Sequence, residues 1–87
     1  MVDMIVRMWE ARAHPEAFTD LLAWVCDSVV PGLERSPGHV TTEVFTAPDD
    51  RIVVITRFRA TPATIPPPPS HQVARDPHAW DFNPVDR

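Results

Sequence analysis

The order of hydrophobic periodicities in the first two thirds of the chain constrains the fold more than any other feature. Residues 4–12 alternate like a strand, and residues 15–36 repeat apolar side chains at 3.6-residue spacing. Residues 39–47 and 51–59 alternate again, with the turn-forming sequence Pro-Asp-Asp between them. The order strand, helix, strand, strand predicts an α+β protein with a ferredoxin-like antiparallel sheet.

The predicted helix carries clear signals at both ends. Pro15 and Glu16 suit its first turn, and the Pro-Gly pair at residues 37–38 suits its end. Pro31 is expected to kink or interrupt it near Val30, because proline lacks the N–H that an inner turn needs. Cys26 lies among apolar residues of this helix and is predicted to be a buried small hydrophobe.

Composition narrows the class of protein. A chain of 87 residues with 44% hydrophobic residues indicates one globular domain, residues 1–87, whose small core favours an oligomer. The net charge of -4 argues against a nucleic-acid partner. A single cysteine excludes an intrachain disulfide, and the sequence has neither a signal-peptide pattern nor an 18-residue apolar run. A cytoplasmic protein without membrane contact is expected.

The character of the chain changes after the predicted core, residues 4–60. Residues 61–87 form a proline-rich segment with a short C-terminal element. Residues 61–70 contain five prolines, four of them consecutive, so this stretch is predicted to be extended. A short helix is predicted over residues 71–75 and a short edge strand over residues 80–82.

Four stretches resemble the antibiotic biosynthesis monooxygenase-like family of dimeric α+β barrel proteins: residues 4–9, 30–33, 36–38 and 52–58. The resemblance implies a homodimer whose sheets pack together, with a pocket between sheet and helices in each subunit. It also implies chemistry of the kind found in the family, such as cofactor-independent oxygenation of aromatic polyketides. The family usually has a second helix after the third strand. Here the proline run stands in that place, so the second helix is predicted to be degenerate.

Two arginines inside apolar strands are candidate catalytic groups. Arg7 and Arg57 fall on strands that are neighbours in a ferredoxin-like order, so both side chains are expected on one face. As a pair they would form an anion or oxyanion clamp. The alternative is structural: Glu43 neutralises one arginine in an ion pair between subunits.

Two histidines in the irregular C-terminal segment are candidate acid–base groups. His71 and His78 titrate near neutral pH, which suits proton abstraction from a phenol or an activated carbon acid. The alternative is that both are exposed loop histidines. Six residues separate them and no Cys or carboxylate pattern completes a ligand set, so no metal site is predicted.

Aromatic side chains are candidates for substrate binding. Trp9 and Trp80 are predicted to shape the pocket, together with Phe45 and Phe58 on the second and third strands. Trp9 near Arg7 suits a flat ligand that is anionic or phenolic. The alternative for Trp9 is a place in the core or at a dimer interface.

Three functions are compatible with these residues. The first is a small dimeric monooxygenase-like enzyme, or a cyclase or isomerase, acting on an aromatic or polyketide-like molecule without a tightly bound organic cofactor. A glycine-rich phosphate loop is absent, since the chain has two glycines. The second is a non-catalytic dimer that binds a ligand or a partner protein. The third is a haem-binding or haem-degrading protein with His71 or His78 as ligand.

Overall fold

The computed structural model describes residues 4–87, and these contain one four-stranded antiparallel sheet. Its strands are β1 (Ile5–Arg12), β2 (His39–Ala47), β3 (Arg51–Phe58) and β4 (His78–Phe82). Their spatial order is β2-β3-β1-β4, which is ferredoxin-like and confirms the predicted α+β class. The first three residues of the predicted domain lie outside the described residues.

Strand register divides the sheet into two faces. Trp9 lies opposite Val54 on β3 and opposite Ala79 on β4. Because alternate side chains of a strand point to opposite sides, this pairing defines an inner face that packs against the helices. We call the other side the outer face; its side chains include Val6, Met8, Glu10, Glu43, Phe45, Val53, Ile55, Arg57, His78, Trp80 and Phe82.

One continuous helical segment covers the inner face over β1, β3 and β2. It consists of a 3-10 turn (Pro15–Ala17), helix α1 (Phe18–Trp24), a π-helical turn (Val25–Val29) and helix α2 (Val30–Glu34). The interruption expected near Val30 takes the form of this π turn, in which the N–H of Val30 bonds the carbonyl of Val25. Pro31 offers no N–H, so the chain widens immediately before it.

Cys26 is exposed, and its predicted burial is wrong. The buried stripe of the helical segment is Leu21, Val25, Val29 and Leu33, which repeats every four residues. Cys26 follows Val25 by one residue, and one residue rotates a side chain about 100° away from that stripe. Apolar neighbours in sequence therefore did not place it in the core.

The core lies between this helical segment and the inner face. Its largest fully buried side chains are Leu21, Val25, Ile52, Val54 and Phe58. Each such side chain contributes about 1.5–3 kcal/mol on burial. The inward side chains of β3 pack here against the apolar stripe of the helical segment. The two-residue spacing of the strand and the 3.6-residue spacing of the helix thus supply the two sides of one core.

The segment after β3 replaces a second helix with an extended strap, residues 62–69. A 3-10 turn (Ser70–Gln72) follows, and Val73 forms an isolated bridge with Ala13. The N–H of Ala74 bonds the carbonyl of Arg12 at 2.8 Å, which ties the chain to the end of β1 before β4 begins. Instead of the predicted helix over residues 71–75 there is thus a single turn. No helix within residues 4–87 has the length and apolar character needed to cross a membrane.

Candidate functional site

A cavity of about 560 Å³ lies between the inner face and the strap. Its floor consists of Arg7 and Trp9 from β1 and Ala79 from β4. Its other walls come from residues 64–68 of the strap, residues 75–77 of the loop before β4 and His78 at the start of β4, together with Ser70 and Val73. The volume falls within the range of about 300–1,000 Å³ that is typical of small-molecule sites.

The cavity exists because the strap is extended. A helix packed on this part of the sheet would place a row of side chains against β1 and β4. Residues 66–69 are all proline, and an extended proline run lacks the long side chains that would fill that space. Ile65 and Val73 pack against the core, so the strap is anchored on both sides of the proline run.

Trp9 is both a core residue and part of the cavity wall. Its side chain is buried, and its ring centroid lies 6.5 Å from that of Trp24 on α1. This packing fixes the ring orientation, and the small part of Trp9 that is not buried contributes to the cavity wall. Trp9 therefore takes the core role that was the alternative and also contributes to the cavity wall, while its contact with a substrate stays a prediction.

Arg7 is held in place by Asp81 on the neighbouring strand. Arg7 Nε donates to Asp81 Oδ1 at 2.6 Å and Nη2 donates to Oδ2 at 2.9 Å, a bidentate pair across β1 and β4. These hydrogen bonds raise the pKa of Arg7 and lower the pKa of Asp81. The Asp81 side chain is 46% exposed, so solvent screens the pair, and its value lies in orientation more than in stability.

A second ion cluster secures the loop that closes the cavity before β4. Arg75 donates to Glu10 Oε1 from this loop, and Arg51 Nη1 approaches Glu10 Oε2 at 3.8 Å. Glu10 is largely buried while both arginines are partly exposed. The central carboxylate thus serves two cations and fixes the position of the loop relative to β1.

Three of the eight predicted site residues contribute to the cavity wall: Arg7, Trp9 and His78. The contribution of His78 does not bring its imidazole toward Arg7. His78 pairs with Glu10 and lies on the outer face, where its ring stacks on Trp80 at a centroid distance of 5.7 Å. His78 therefore contributes to the cavity wall, but its imidazole ring points away from a ligand in the cavity.

The prediction that Arg7 and Arg57 share one face is wrong. Arg57 pairs with Val6, whereas Arg7 pairs with Thr56, so the two arginines point to opposite sides of the sheet. The prediction that β1 and β3 are neighbouring strands is correct. The register of their pairing, however, determines on which face of the sheet each arginine lies. Arg57 Nη1 donates to Glu43 Oε1 at 3.2 Å within the same chain, rather than in the pair between subunits considered from the sequence.

The remaining predicted residues lie away from the cavity. His71 is an exposed residue of the 3-10 turn after the strap. Phe45 and Trp80 are on the outer face, each more than 40% exposed. Phe58 is fully buried and meets His39 edge to face at 5.5 Å, because its position opposite Ile5 turns it into the core.

Sequence reasoning missed several groups that the structure brings to the site. Asp81 orients Arg7, Arg75 and Asp76 contribute charge to the wall, and Ile65 contributes apolar surface. Asp81 falls inside the predicted edge strand, yet only the pairing of β4 with β1 reveals its partner. Within the described residues no group of three or more His, Cys, Asp or Glu side chains is placed to hold a metal ion.

No protein-family model matches the chain, and no curated protein matches it. Solved structures do. The structure of Rv0793 from Mycobacterium tuberculosis matches with a TM-score of 0.74 and 14% identity, covering 97% of both chains. A Streptomyces coelicolor monooxygenase from the gene ActVA-Orf6, in complex with nanaomycin D, matches with a TM-score of 0.67 and 12% identity, covering 99% of this chain and 90% of that one. The chain therefore shares the ferredoxin-like α+β fold of these two proteins, which is the fold that the resemblance to the antibiotic biosynthesis monooxygenase-like family implied.

Proposed function

We propose that this protein is a small monooxygenase-like enzyme that acts on an aromatic or polyketide-like molecule without a tightly bound organic cofactor. The cavity carries the proposal. It combines apolar lining from Trp9, Ile65 and the prolines with a fixed hydrogen-bond donor at Arg7. An apolar pocket with a few convergent polar groups is the usual form of a site for such a ligand. The fold is shared with a monooxygenase that binds nanaomycin D.

The proposed reaction needs few groups from the protein. Oxidation of a phenol by dioxygen to a quinone and water is balanced without an external reductant, because the phenol supplies the electrons. The protein then has to orient the ring, accept a proton and stabilise developing negative charge. Trp9 would orient the ring and Arg7 would stabilise the oxygen. Asp76 would accept the proton, because it is the carboxylate of the wall that has no ion pair within residues 4–87. A cyclase or isomerase would use the same groups without oxygen.

A second candidate is a non-catalytic dimer that binds a ligand in the same cavity. One observation favours it: His71 is exposed outside the cavity, and the ring of His78 stacks on Trp80 instead of facing Arg7. The cavity then lacks the imidazole base that sequence reasoning proposed. Haem binding receives no such support, because neither of the two proposed ligands, His71 and His78, turns its imidazole into the cavity.

We also propose that the functional unit is a homodimer formed through the outer face. Phe45, Trp80 and Phe82 on this face are 43–50% exposed, and Val6, Met8, Val53 and Ile55 lie between them. Contiguous apolar surface of this kind on a soluble chain marks an interaction site. A second copy presents the same patch, so a two-fold axis would make the two sheets cover each other.

The enzyme proposal is tested by filling the cavity. Ala79→Phe places a ring on the floor opposite Trp9, while Ala23→Phe places the same ring on the exposed side of α1. Calorimetric titration with nanaomycin D is expected to show binding by the native protein and by the Ala23 variant, and loss of binding by the Ala79 variant. Equal binding by both variants, or none by the native protein, would refute a ligand site in the cavity.

Oxygen uptake then separates the two candidate functions. With 1,5-dihydroxynaphthalene as substrate, the enzyme is expected to consume one dioxygen per 5-hydroxy-1,4-naphthoquinone formed, with water as the other product, and Asp76→Asn is expected to slow this more than His71→Ala. Binding of nanaomycin D without oxygen uptake from any of several dihydroxynaphthalenes would favour the non-catalytic alternative.

The homodimer is tested by charge at the centre of the outer face. Ile55→Asp is expected to reduce the mass measured by light scattering to that of one 9.8 kDa chain, because it places a carboxylate directly opposite Glu43 in the middle of an apolar interface. Thr19→Asp on the exposed side of α1 is the matched control and is expected to leave the dimer intact. A native protein that is monomeric at all concentrations would refute this interface.

A further inference from the structure

We propose that Arg7, oriented by Asp81, determines the specificity of the cavity by selecting a neutral ligand with a carbonyl oxygen, such as an aryl ketone or a quinone, over a carboxylate. The inference rests on the proposed function, since it names the ligand class of the same site. It assigns Arg7 a role as hydrogen-bond donor and Asp81 a role as a positioning residue. It also predicts that the negative charge of Asp81 is part of the selection.

The position of Arg7 gives its guanidinium one orientation. It lies on the inner face of β1, opposite Thr56 on one side and Asp81 on the other, and its side chain is 22% exposed. The two hydrogen bonds to Asp81 occupy Nε and Nη2, so they fix the plane of the group. A donor held in this way loses little further freedom when a ligand binds.

The bidentate pair leaves donors for a ligand. Nη1 is the guanidinium nitrogen that takes no part in the contacts with Asp81, and Arg7 contributes to the cavity floor beside Trp9. A flat ligand lying against Trp9 would bring an oxygen on its edge to this nitrogen. A carbonyl oxygen accepts such a bond in the plane of the ring to which it is attached.

The charges around the cavity disfavour an anionic ligand. Asp81 neutralises Arg7, whereas Glu10 pairs with both Arg75 of the wall and Arg51, so this second cluster carries one net positive charge. Asp76 then adds a carboxylate that has no ion pair within residues 4–87. The site therefore offers a strong donor without net positive charge. A ligand carboxylate at Arg7 would lose hydration in a site where Asp81, Glu10 and Asp76 already balance the arginines, so no net positive charge would offset that loss.

Three probes of equal shape isolate the predicted preference. 2-Acetylnaphthalene carries a neutral carbonyl, 2-naphthoate carries a carboxylate, and 2-isopropylnaphthalene carries no acceptor. Their dissociation constants at pH 7 would be measured by fluorescence for the native protein and for Arg7→Met, Arg7→Lys and Asp81→Asn, with circular dichroism as the check on folding.

The native protein is expected to bind 2-acetylnaphthalene about tenfold more tightly than either of the other probes, a difference of about 1.4 kcal/mol. Arg7→Met is expected to bind the acetyl and isopropyl probes equally, because the donor is gone. Arg7→Lys retains the charge but loses the planar group, so it is expected to recover part of the preference. Asp81→Asn leaves the cation unneutralised and is expected to raise the affinity for 2-naphthoate relative to 2-acetylnaphthalene about tenfold.

The outcomes separate this inference from the proposed function. If the native protein binds none of the probes, both are overturned. If it binds all three equally, or prefers 2-naphthoate, the cavity remains a ligand site and the role of Arg7 is overturned. Should Arg7→Met fail to fold, Asp81→Asn decides alone, because an unchanged ratio between the acetyl and carboxylate probes in that variant contradicts the role of the pair.

Discussion

Replacement of Gly38 by alanine is expected to destabilise the protein strongly, because of the backbone conformation of Gly38 and its close approach to Ala60. Gly38 lies between the helical segment and β2 and has a φ of +80°, a left-handed conformation that L side chains rarely adopt. A Cβ at this position would lie 2.6 Å from Cβ of Ala60 and 3.1 Å from its backbone nitrogen. The backbone N–H of Arg59 donates to the carbonyl of Gly38 at 2.7 Å, so the two segments cannot separate freely.

Two costs add at Gly38. The left-handed conformation costs a residue with a Cβ roughly 1–2 kcal/mol. Relief of the contact with Ala60 requires a backbone shift, and overpacking of this kind costs about 1–3 kcal/mol. The expected loss of about 2–5 kcal/mol is a large part of the ~5–15 kcal/mol that holds a small domain together. The melting temperature should fall by at least about 8 °C.

Gly32 is the matched control, because the same substitution there has the opposite sign. Gly32 lies within α2 and a Cβ built on it meets nothing within 4 Å. Alanine is favoured over glycine in a helix by about 0.5–1 kcal/mol, so Gly32→Ala should stabilise the protein slightly. Thermal and urea unfolding at one fixed protein concentration would compare the two variants, since a dimer makes the melting temperature depend on concentration.

A double substitution separates the two costs at Gly38. Ala60→Gly removes the Cβ that the new alanine would strike, so it should restore the steric part in the Gly38→Ala background and leave the conformational part. Refutation would come from a Gly38→Ala protein as stable as the native one. It would also come from a double variant no more stable than the single one, which would show that the contact with Ala60 contributes nothing.

Three further predictions follow from the same structure. The pKa of Asp81 is lowered by its hydrogen bonds to Arg7, so the pair stabilises the fold above about pH 4 and this contribution is lost as the pH falls through the folded-state pKa. Acid titration should find up to about 1 kcal/mol, since the pair is partly exposed, and Asp81→Asn should abolish that dependence. Glu10→Gln removes the anion that holds Arg75, and hydrogen exchange should become faster at the amide of Ala74, which bonds the carbonyl of Arg12, while β1 and β3 keep their protection; unchanged exchange would contradict the role of this ion cluster. Leu21→Ala removes a fully buried side chain and should lower the free energy of unfolding in urea by about 2–5 kcal/mol. A decrease of less than about 1 kcal/mol would show that the helical segment is not packed as described.

The elements of the fold were predictable because they depend on local spacing. The four strands and the helical segment appear in the structure within a few residues of their predicted bounds. Pro31 marked the interruption of the helix, although the sequence did not indicate that a π turn would accommodate it. Proline content likewise predicted an extended segment after β3, because proline lacks the N–H that a helix requires.

The candidate site was less predictable, because it depends on pairing between segments distant in sequence. Arg7 and Trp9 were found from their place among apolar residues of one strand, and both reach the cavity. Arg57, in an equally apolar strand, faces the other side because its partner on β1 is Val6. A shift of one residue in register exchanges the two faces of a strand, and no local pattern fixes that shift when both faces carry apolar residues.

By itself, the sequence determined the class of fold, the order of its elements, and the absence of a regular second helix. Tertiary structure alone decided which side chains surround the cavity. The bridge between Ala13 and Val73 ties the end of the strap to β1, and the pairing of β4 with β1 brings Asp81 to Arg7. Local periodicity determines whether a segment forms a helix or a strand and which of its residues share a face. The contact of one segment with another is set by burial and hydrogen bonding over the whole chain, which no single segment encodes.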